Sequence, residues 1–340
     1  MEKELWQYLK TAQKPIVLYG MGNGADKIIN VLNHYNITFC DVFASDGFVR
    51  EKYFHSHKIA SYSQLKEKYK DMIVLLCFGS QLPEVLRNIK KIASEQELYA
   101  PDVDVIGDKF FTQEFLKENR KDLEWVYSNL ADDISKTTFE NILNYKLSGK
   151  INYLLDCEVP INETDFLKFE NENFLDLGAY NGDTVLKFLK DCPDFKEITA
   201  VEPDKKTFKK LQKNTENIER LTLINACISN KCGKALFAMK GGRNSSIKDE
   251  GIEINAISVD SLQKPFSYIK MDVEGEELNA IKGAENTIKL YKPKMLISAY
   301  HKTEDLIKIP KSVLKINPEY KMYMRHFSYL PAWDTNFYFI

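Results

Sequence analysis

Twice along this 340-residue chain, short apolar runs alternate with segments of helical period, and that alternation restricts the fold more than any other feature. The first block runs "PIVLYG" (Pro15 to Gly20), a helix from about Ala25 to His34, "ITFCDVFA", a helix near Tyr62 to Tyr69, and "MIVLLCFG". Apolar runs of strand length that take turns with helices predict a parallel sheet covered on both faces. The second block offers "NFLDLG", "EITAVEP", "LTLINAC", "FSYIKMDV", "KMLISAY", "YKMYMRHF" and "NFYFI", with helices after the first, second, fourth and fifth. Its last two runs are joined by "SYLPAWDT" with no helix between them, which predicts a terminal antiparallel hairpin on an otherwise parallel sheet.

Between the blocks, from Asp108 to about Leu155, strand signals vanish and apolar residues recur at helical intervals in "FFTQEFLKENRKDLEWVYSNL" and "KTTFENILNYKL". The fold class expected is α/β, with two doubly wound, Rossmann-like domains joined by a helical connector. The ranges are 1–107 for the first domain, 108–165 for the connector and 166–340 for the second domain. A formal net charge of −2 supplies no global basic field, so no nucleic-acid partner is expected. The six cysteines lack CxxC spacing and read as reduced thiols. No signal peptide opens the sequence, and its longest apolar run, "MIVLLCF", is too short to span a membrane. A soluble, cytoplasmic protein is the expectation; oligomeric state is left open.

The chemistry concentrates at "NFLDLGAYNGDTVLKFL", where a strand stops at a glycine turn and re-emerges as a helix. Such a turn leaves backbone N–H groups aimed at a ligand. Gly178 and Gly182 permit the turn, but Asp176 and Asp183 would repel a pyrophosphate. In "AVEPD", Glu202 ends the next strand, where an acid accepts both hydroxyl hydrogens of a ribose. Glycine turn, acid at the next strand tip and no phosphate site together suit S-adenosylmethionine (SAM), a nucleoside bearing a sulfonium.

In order and at matching intervals, "FLDLGAYNGDT", "VEPD", "SVDSL", "YIKMDVEGEELNAIKGA" and "ISAYHKTEDLIKIP" resemble the FkbM family of SAM-dependent methyltransferases, over roughly Asn173 to Ile340. The resemblance implies a class I methyltransferase fold and methyl transfer to a hydroxyl oxygen of a sugar or natural product. It places Asp176, Gly178, Tyr180 and Gly182 along the methionine portion of the cofactor and Glu202 on the ribose. Asp183 and Thr184 open the following helix, as cofactor contacts or as an ordinary N-terminal cap. Strand order puts Ala226 and Cys227 beside the adenine, with Cys227 as a plain buried residue the alternative.

"KMDVEGEE" sets Asp272 and Glu274 at the mouth of the fourth strand, where ligands gather in open wound sheets, and leaves Glu276 and Glu277 as helix N-terminal charges. His301, in "SAYHKTED" just beyond the fifth strand, is the candidate general base, with Asp272 next and Glu274 beside them. Alternatively Asp260, Asp272, Glu274 and His301 converge on a divalent metal ion that polarises the acceptor hydroxyl. The loop "KGGRNSSIKDE" offers Asn244, Ser245 and Ser246 as acceptor contacts, with Arg325 and His326 holding weaker claims.

In the first block, "VLYGMGNGADKI" spaces Gly20, Gly22 and Gly24 as GxGxG, and Asp46 falls where a ribose-binding acid would lie. The stretch "ITFCDVFASDGFVREKYFHSHKIASYSQL" resembles small nucleotide-binding modules of nucleotide-sugar and polysaccharide-modifying enzymes, over about Lys14 to Ile92. It is expected to bind a nucleotide or nucleotide-sugar, or else only to scaffold. The function expected is transfer of a methyl group from SAM to a hydroxyl of a saccharide or nucleotide-sugar in glycan or natural-product biosynthesis. The rivals are a nucleotide-sensing binding protein and an NAD-dependent sugar-modifying oxidoreductase centred on "GMGNG".

Overall fold

The computed structural model describes residues 2–45, 53–107, 109–160, 164–238, 246–247 and 252–340. After α1 (Leu5–Thr11), the first block builds β1 (Ile16–Tyr19), α2 (Asn23–His34), β2 (Asp41–Ala44), a small hairpin of β3 (Tyr53–Phe54) and β4 (His57–Lys58), β5 (Ala60–Ser61), α3 (Tyr62–Tyr69), β6 (Ile73–Leu76), α4 (Pro83–Glu95) and β7 (Glu97–Tyr99). Its sheet is all parallel, in the order β5-β2-β1-β6-β7. Every residue of β1 and β6 is buried, as continuous apolar runs covered on both faces require. Local signals set the helix starts: Ser61 and Gln64 form a reciprocal capping box on α3, and Pro83 occupies the first turn of α4.

Four helices follow, α5 (Gln113–Glu118), α6 (Arg120–Asn129), α7 (Asp133–Ser148) and α8 (Asn152–Cys157). The second block then forms β8 (Asn173–Leu177), α9 (Asp183–Asp191), β9 (Glu197–Val201), α10 (Lys205–Asn214), β10 (Leu221–Ile224), β11 (Cys227–Ile228), β12 (Gly233–Ala238), β13 (Ser246–Ile247), β14 (Ile252–Ile257), β15 (Tyr268–Met271), α11 (Glu277–Lys282), α12 (Glu285–Tyr291), β16 (Lys294–Ser298), α13 (Asp305–Ile316), β17 (Met322–His326) and β18 (Thr335–Phe339). The main sheet runs β10-β9-β8-β15-β16-β18-β17. Strand β18 is antiparallel to both its neighbours, the expected terminal hairpin, with the last strand inserted inside the edge one. Four strands between β10 and β15 form a separate small sheet, β11-β14-β12-β13, where the sequence suggested only a loop. The chain is thus α/β with two wound sheets.

One continuous apolar core joins the blocks, uniting Val17, Phe43 and Val74 with Phe139, Tyr145, Leu175, Met271 and Phe337. The helical segment also closes the exposed edge of the second sheet. Ala131 donates to the Met322 carbonyl (2.8 Å) and Val159 to the His326 carbonyl (3.0 Å), which pairs β17 backbone groups that would otherwise be open. Asp132 fastens this seam twice. It caps α7 through the Ser135 N–H (2.7 Å) and accepts from both Arg325 nitrogens (3.2 and 2.6 Å), while Arg325 is 2 % exposed. Arg325 and His326, weak candidates for acceptor contact, are therefore structural. His326 is fully buried and held neutral, its pKa pushed down to about 4 by burial.

Asp132→Ala should lower stability by about 3–5 kcal/mol, because it strands a buried guanidinium and removes a helix cap. Urea unfolding of the two proteins measures this; a loss of less than about 1 kcal/mol would mean that Arg325 finds another partner. Among the described residues no helix is long and apolar enough to cross a membrane, and all six cysteines are free thiols.

Candidate active site

A cavity of about 390 Å³ opens at the carboxyl ends of β8, β9, β15 and β16, where ligands collect in open wound sheets. Its floor is the glycine turn after β8. The Gly178 and Ala179 N–H groups both donate to the Val201 carbonyl (3.0 Å each), folding the turn onto β9. Gly178 has φ +79°, and a Cβ there would lie 1.9 Å from the Asp272 carbonyl oxygen, so only glycine lets β8 and β15 meet at this level. Tyr180 and Glu274, two of the few non-glycine residues with left-handed backbone (φ 46° and 51°), both line the cavity. Held strain of this kind concentrates at functional sites.

Glu202 ends β9 and is 7 % exposed. Its two oxygens accept from the Tyr180 N–H (3.0 Å) and the Asp204 N–H (2.8 Å), which fixes the carboxylate plane and leaves one lone pair on each oxygen. Burial pushes its pKa up to about 7, with the two N–H groups pulling the other way. Ala226 and Cys227 line the same wall; burial pushes the Cys227 thiol up to about 11, which marks it as an inert neutral side chain. Asp183 and Thr184 line the cavity as well, while the N-cap position of α9 itself falls to Gly182.

Two expected cofactor contacts lie outside the cavity wall. Gly182 faces Leu211 and Thr215 of the helix behind. Asp176 is completely buried beneath the floor, facing the Lys270 ammonium at 3.3 Å, and Lys270 in turn donates to the Gly178 carbonyl at 2.9 Å. Burial raises the Asp176 pKa and Lys270 opposes it. This pair braces the glycine turn from below. Lys270 was not singled out in the sequence, although it stands two residues before Asp272 in the same strand.

Asp272, Glu274 and His301 do come together. His301 Nε2 lies 3.6 Å from Asp272 Oδ1 and 3.4 Å from Glu274 Oε2, while Nδ1 lies 3.0 Å from Glu277 Oε1. The ring is 0 % exposed and does not reach the cavity lining, contrary to the expectation of a base at its mouth. Burial alone would lower its pKa, but Glu277, Glu274 and Asp272 outweigh burial and hold it well above the ordinary value. An imidazole kept protonated cannot accept a proton.

Asp272 and Glu274 do line the cavity. Burial raises the Asp272 pKa, but Lys270, His301 and the Tyr300 hydroxyl (3.0 Å) more than reverse this and hold it below the usual range. The Glu274 pKa is raised by burial, against an opposing pull from His301. Glu277, expected as a helix N-terminal charge, does open α11, but it is 1 % exposed and also accepts from the Val273 N–H (3.0 Å).

Asp272, Glu277 and His301 bring one donor atom each within 4.8 Å of one another, a geometry open to a metal ion. Asp260, expected to join such a cluster, does not. Its carboxylate is spent on the start of α12, accepting from Asn286 N (3.1 Å), Thr287 N (2.8 Å) and the Thr287 hydroxyl (2.7 Å). Asn244 and Ser245 lie outside the described residues, and Ser246 is described only as backbone in β13.

Carboxylates dominate the lining among the described residues: Asp183, Glu202, Asp204, Asp272, Glu274, Glu276 and Asp334 stand against two cations, Lys187 and Lys270. Lys270 is already committed to Asp176. A sulfonium-bearing nucleoside fits this charge pattern and the lone pairs of Glu202; a dinucleotide pyrophosphate does not.

The glycine turn of the first sheet is differently furnished. A Cβ on Gly20 would fall 2.5 Å from the Phe78 ring, so the ring occupies the space above that turn. The cavity beside Gly24, lined also by Cys77, Phe78, Pro331 and Trp333, measures about 20 Å³, which holds a water but no nucleotide. Gly22 has open space around it, and Asp46 lies outside the described residues.

The model of the FkbM methyltransferase domain matches residues 176–331. Among solved structures, the methyltransferase FkbM of Methylobacillus flagellatus KT is similar at a TM-score of 0.75 and 22 % identity, covering 96 % of this chain and 90 % of that one. A likeness at that identity carries the fold. Precorrin-6y C5,15-methyltransferase of Geobacter metallireducens GS-15 (TM-score 0.34, 13 % identity, 51 % of this chain and 80 % of that one) and Aeropyrum pernix fibrillarin (TM-score 0.33, 13 % identity, 50 % and 67 %) are far looser likenesses and bear on nothing here. No curated protein matches the chain. Residues 176–331 thus match the FkbM methyltransferase domain, and the chain carries a methyltransferase domain of that family.

Proposed function

We propose that this enzyme methylates a hydroxyl oxygen of a saccharide, with SAM seated between the Gly178 turn and Glu202 and the acceptor above Asp272 and Glu274. The observation that carries the proposal is the acid-rich cavity closed beneath by a glycine that tolerates no side chain. SAM supplies there an electrophilic methyl group on a positively charged sulfur. Glu202 accepts from the ribose hydroxyls, Ala226 and Cys227 flank the adenine, and Gly178, Tyr180, Asp183 and Thr184 border the methionine end.

Glu274 takes the hydroxyl proton, in the role first given to His301. Its raised pKa makes it the more basic of the two carboxylates, while Asp272 stays ionised and orients the hydroxyl. His301, a fixed cation behind both, sets their separation. Much of the rate then comes from holding the acceptor oxygen in line with the methyl group. The first sheet serves as scaffold and wall in this reading, consistent with Phe78 filling the space above Gly20.

Calorimetry with SAM and with NAD tests the assignment: heat with the first and none with the second is expected, and the reverse would restore the oxidoreductase. The pH dependence is sharper. Ribose hydroxyls need the ionised Glu202, whose pKa in the empty site is about 7. Affinity for methylthioadenosine, which carries the ribose and no amino acid, should therefore tighten from about pH 6 to about pH 8 and then level off, by up to about tenfold per unit on the acid side. A flat titration would remove Glu202 from ribose binding.

A further inference from the structure

We propose that the acceptor subsite is built jointly by both halves of the chain and takes an uncharged, polyhydroxylated ring rather than a phosphorylated or nucleotide-linked one. Trp333 and Tyr329 form its apolar platform, and Gln81, from the first block, is its selecting polar group. The proposal rests on the methyltransferase assignment above and narrows its acceptor.

Gln81 lines the same cavity as Glu202 and Asp272, although it follows β6 of the other sheet. It is brought there by a two-way backbone link: Ser80 N–H donates to the Leu330 carbonyl (2.8 Å) and Leu330 N–H to the Ser80 carbonyl (3.1 Å). Gly79 lets the strands approach, since a Cβ would sit 2.5 Å from the Trp333 ring and 2.8 Å from the Tyr329 ring. These two rings lie 5.9 Å apart at 35° and reach the cavity together. Gln81 itself is exposed at the rim, an amide that can both donate and accept. Gln81, Trp333 and Asn336 fall outside the matched domain, residues 176–331, while Tyr329, Asp272 and Glu274 lie within it, so the acceptor site is completed by segments beyond the domain.

An aromatic platform beside an amide and several carboxylates binds a ring with apolar C–H faces and hydroxyl edges. It also selects against anions. Among the described residues the lining carries Asp272, Glu274 and Asp334 within a set of seven carboxylates and only two cations, Lys187 and the Lys270 already paired with Asp176, so a phosphate placed above Asp272 and Glu274 meets a net like charge.

The test uses the full chain with SAM or its demethylated product bound, read by tryptophan fluorescence and by methyl transfer from labelled SAM. Methyl α-D-mannoside, methyl α-L-rhamnoside and N-acetylglucosamine are the neutral arms; mannose 6-phosphate and UDP-glucose are the anionic ones. At least one neutral arm should quench the fluorescence, lose that quench in Trp333→Phe, and bind about tenfold or more tighter than either anion. Gln81→Ala should raise the acceptor KM about tenfold and leave the Kd for SAM within about twofold.

Anionic arms that bind as well as neutral ones, no quench from any neutral arm at its solubility limit, or an unchanged KM in Gln81→Ala would each overturn the proposal. Failure of SAM itself to bind is a separate outcome. It sinks the cofactor assignment first, and this subsite falls with it.

Discussion

Glu274→Gln should lower kcat by about 10²–10⁴-fold while leaving the Kd for SAM within about threefold. The amide keeps the shape and most of the contacts of the carboxylate but cannot take a proton at neutral pH. Glu274 has no bond to the glycine turn or to Glu202, so cofactor binding has no reason to change. The lost group is one that acts only as the acceptor oxygen begins to bond to carbon, which is why turnover falls and affinity does not. Single-turnover rates with saturating SAM check this directly. If His301→Asn abolishes turnover and Glu274→Gln does not, the buried imidazole is neutral when the acceptor binds and takes up its hydroxyl proton, and the assignment of the base is wrong.

Gly178→Ala should destabilise the chain by about 3–5 kcal/mol, summing a left-handed conformation denied to alanine and an overpacked contact. At about 2–4 °C per kcal/mol for a domain of this size, the melting temperature falls by about 6–20 °C. The clash is with backbone, since the Cβ would sit 1.9 Å from the Asp272 carbonyl oxygen, so no side-chain rotation relieves it. Any relief must separate β8 from β15, and with them Glu202 from Asp272. Loss of SAM binding is therefore expected to accompany the loss of stability, whereas Asp132→Ala, at a residue that does not line the cavity, should lower stability and spare binding. Calorimetric unfolding and SAM titration of both variants separate the two cases. A Gly178→Ala protein as stable as the parent would show that the two strands do not approach this closely.

What was legible in the sequence is what neighbouring residues decide. Alternating runs announced both wound sheets, "SYLPAWDT" announced the hairpin, and the glycine turn with Glu202 at the tip of the next strand marked the cavity. What depends on residues distant in sequence was hidden. Asp260 looks available in "SVDSL" and is spent on Asn286 and Thr287, which come close only after α12 has packed. Glu277 looks like a charge on a helix start, yet the ring of His301, from another strand tip, turns it inward.

Lys270 sits in a strand whose apolar neighbours give no hint that it meets a buried Asp176 across the pair. The small sheet β11-β14-β12-β13 escaped for a related reason: two of its strands have only two residues each, too short for a period to show. Gln81 could not be found from either block alone, since its place in the cavity exists only when the two are docked.

The position of β18 bears on how the molecule assembles. Strand β17 precedes it in sequence but touches the main sheet only through it, so neither can settle until β18 has slid between β16 and β17. The turn before it carries Trp333 and Asp334, and the strand itself carries Asn336. Loss of a handful of residues around 335–339 would thus leave β8, β9 and β15 able to pair and yet unfasten an entire flank. Its pairings bridge much shorter stretches of sequence than the pairing of β8 with β15, so this flank is expected to close quickly once β16 is in place.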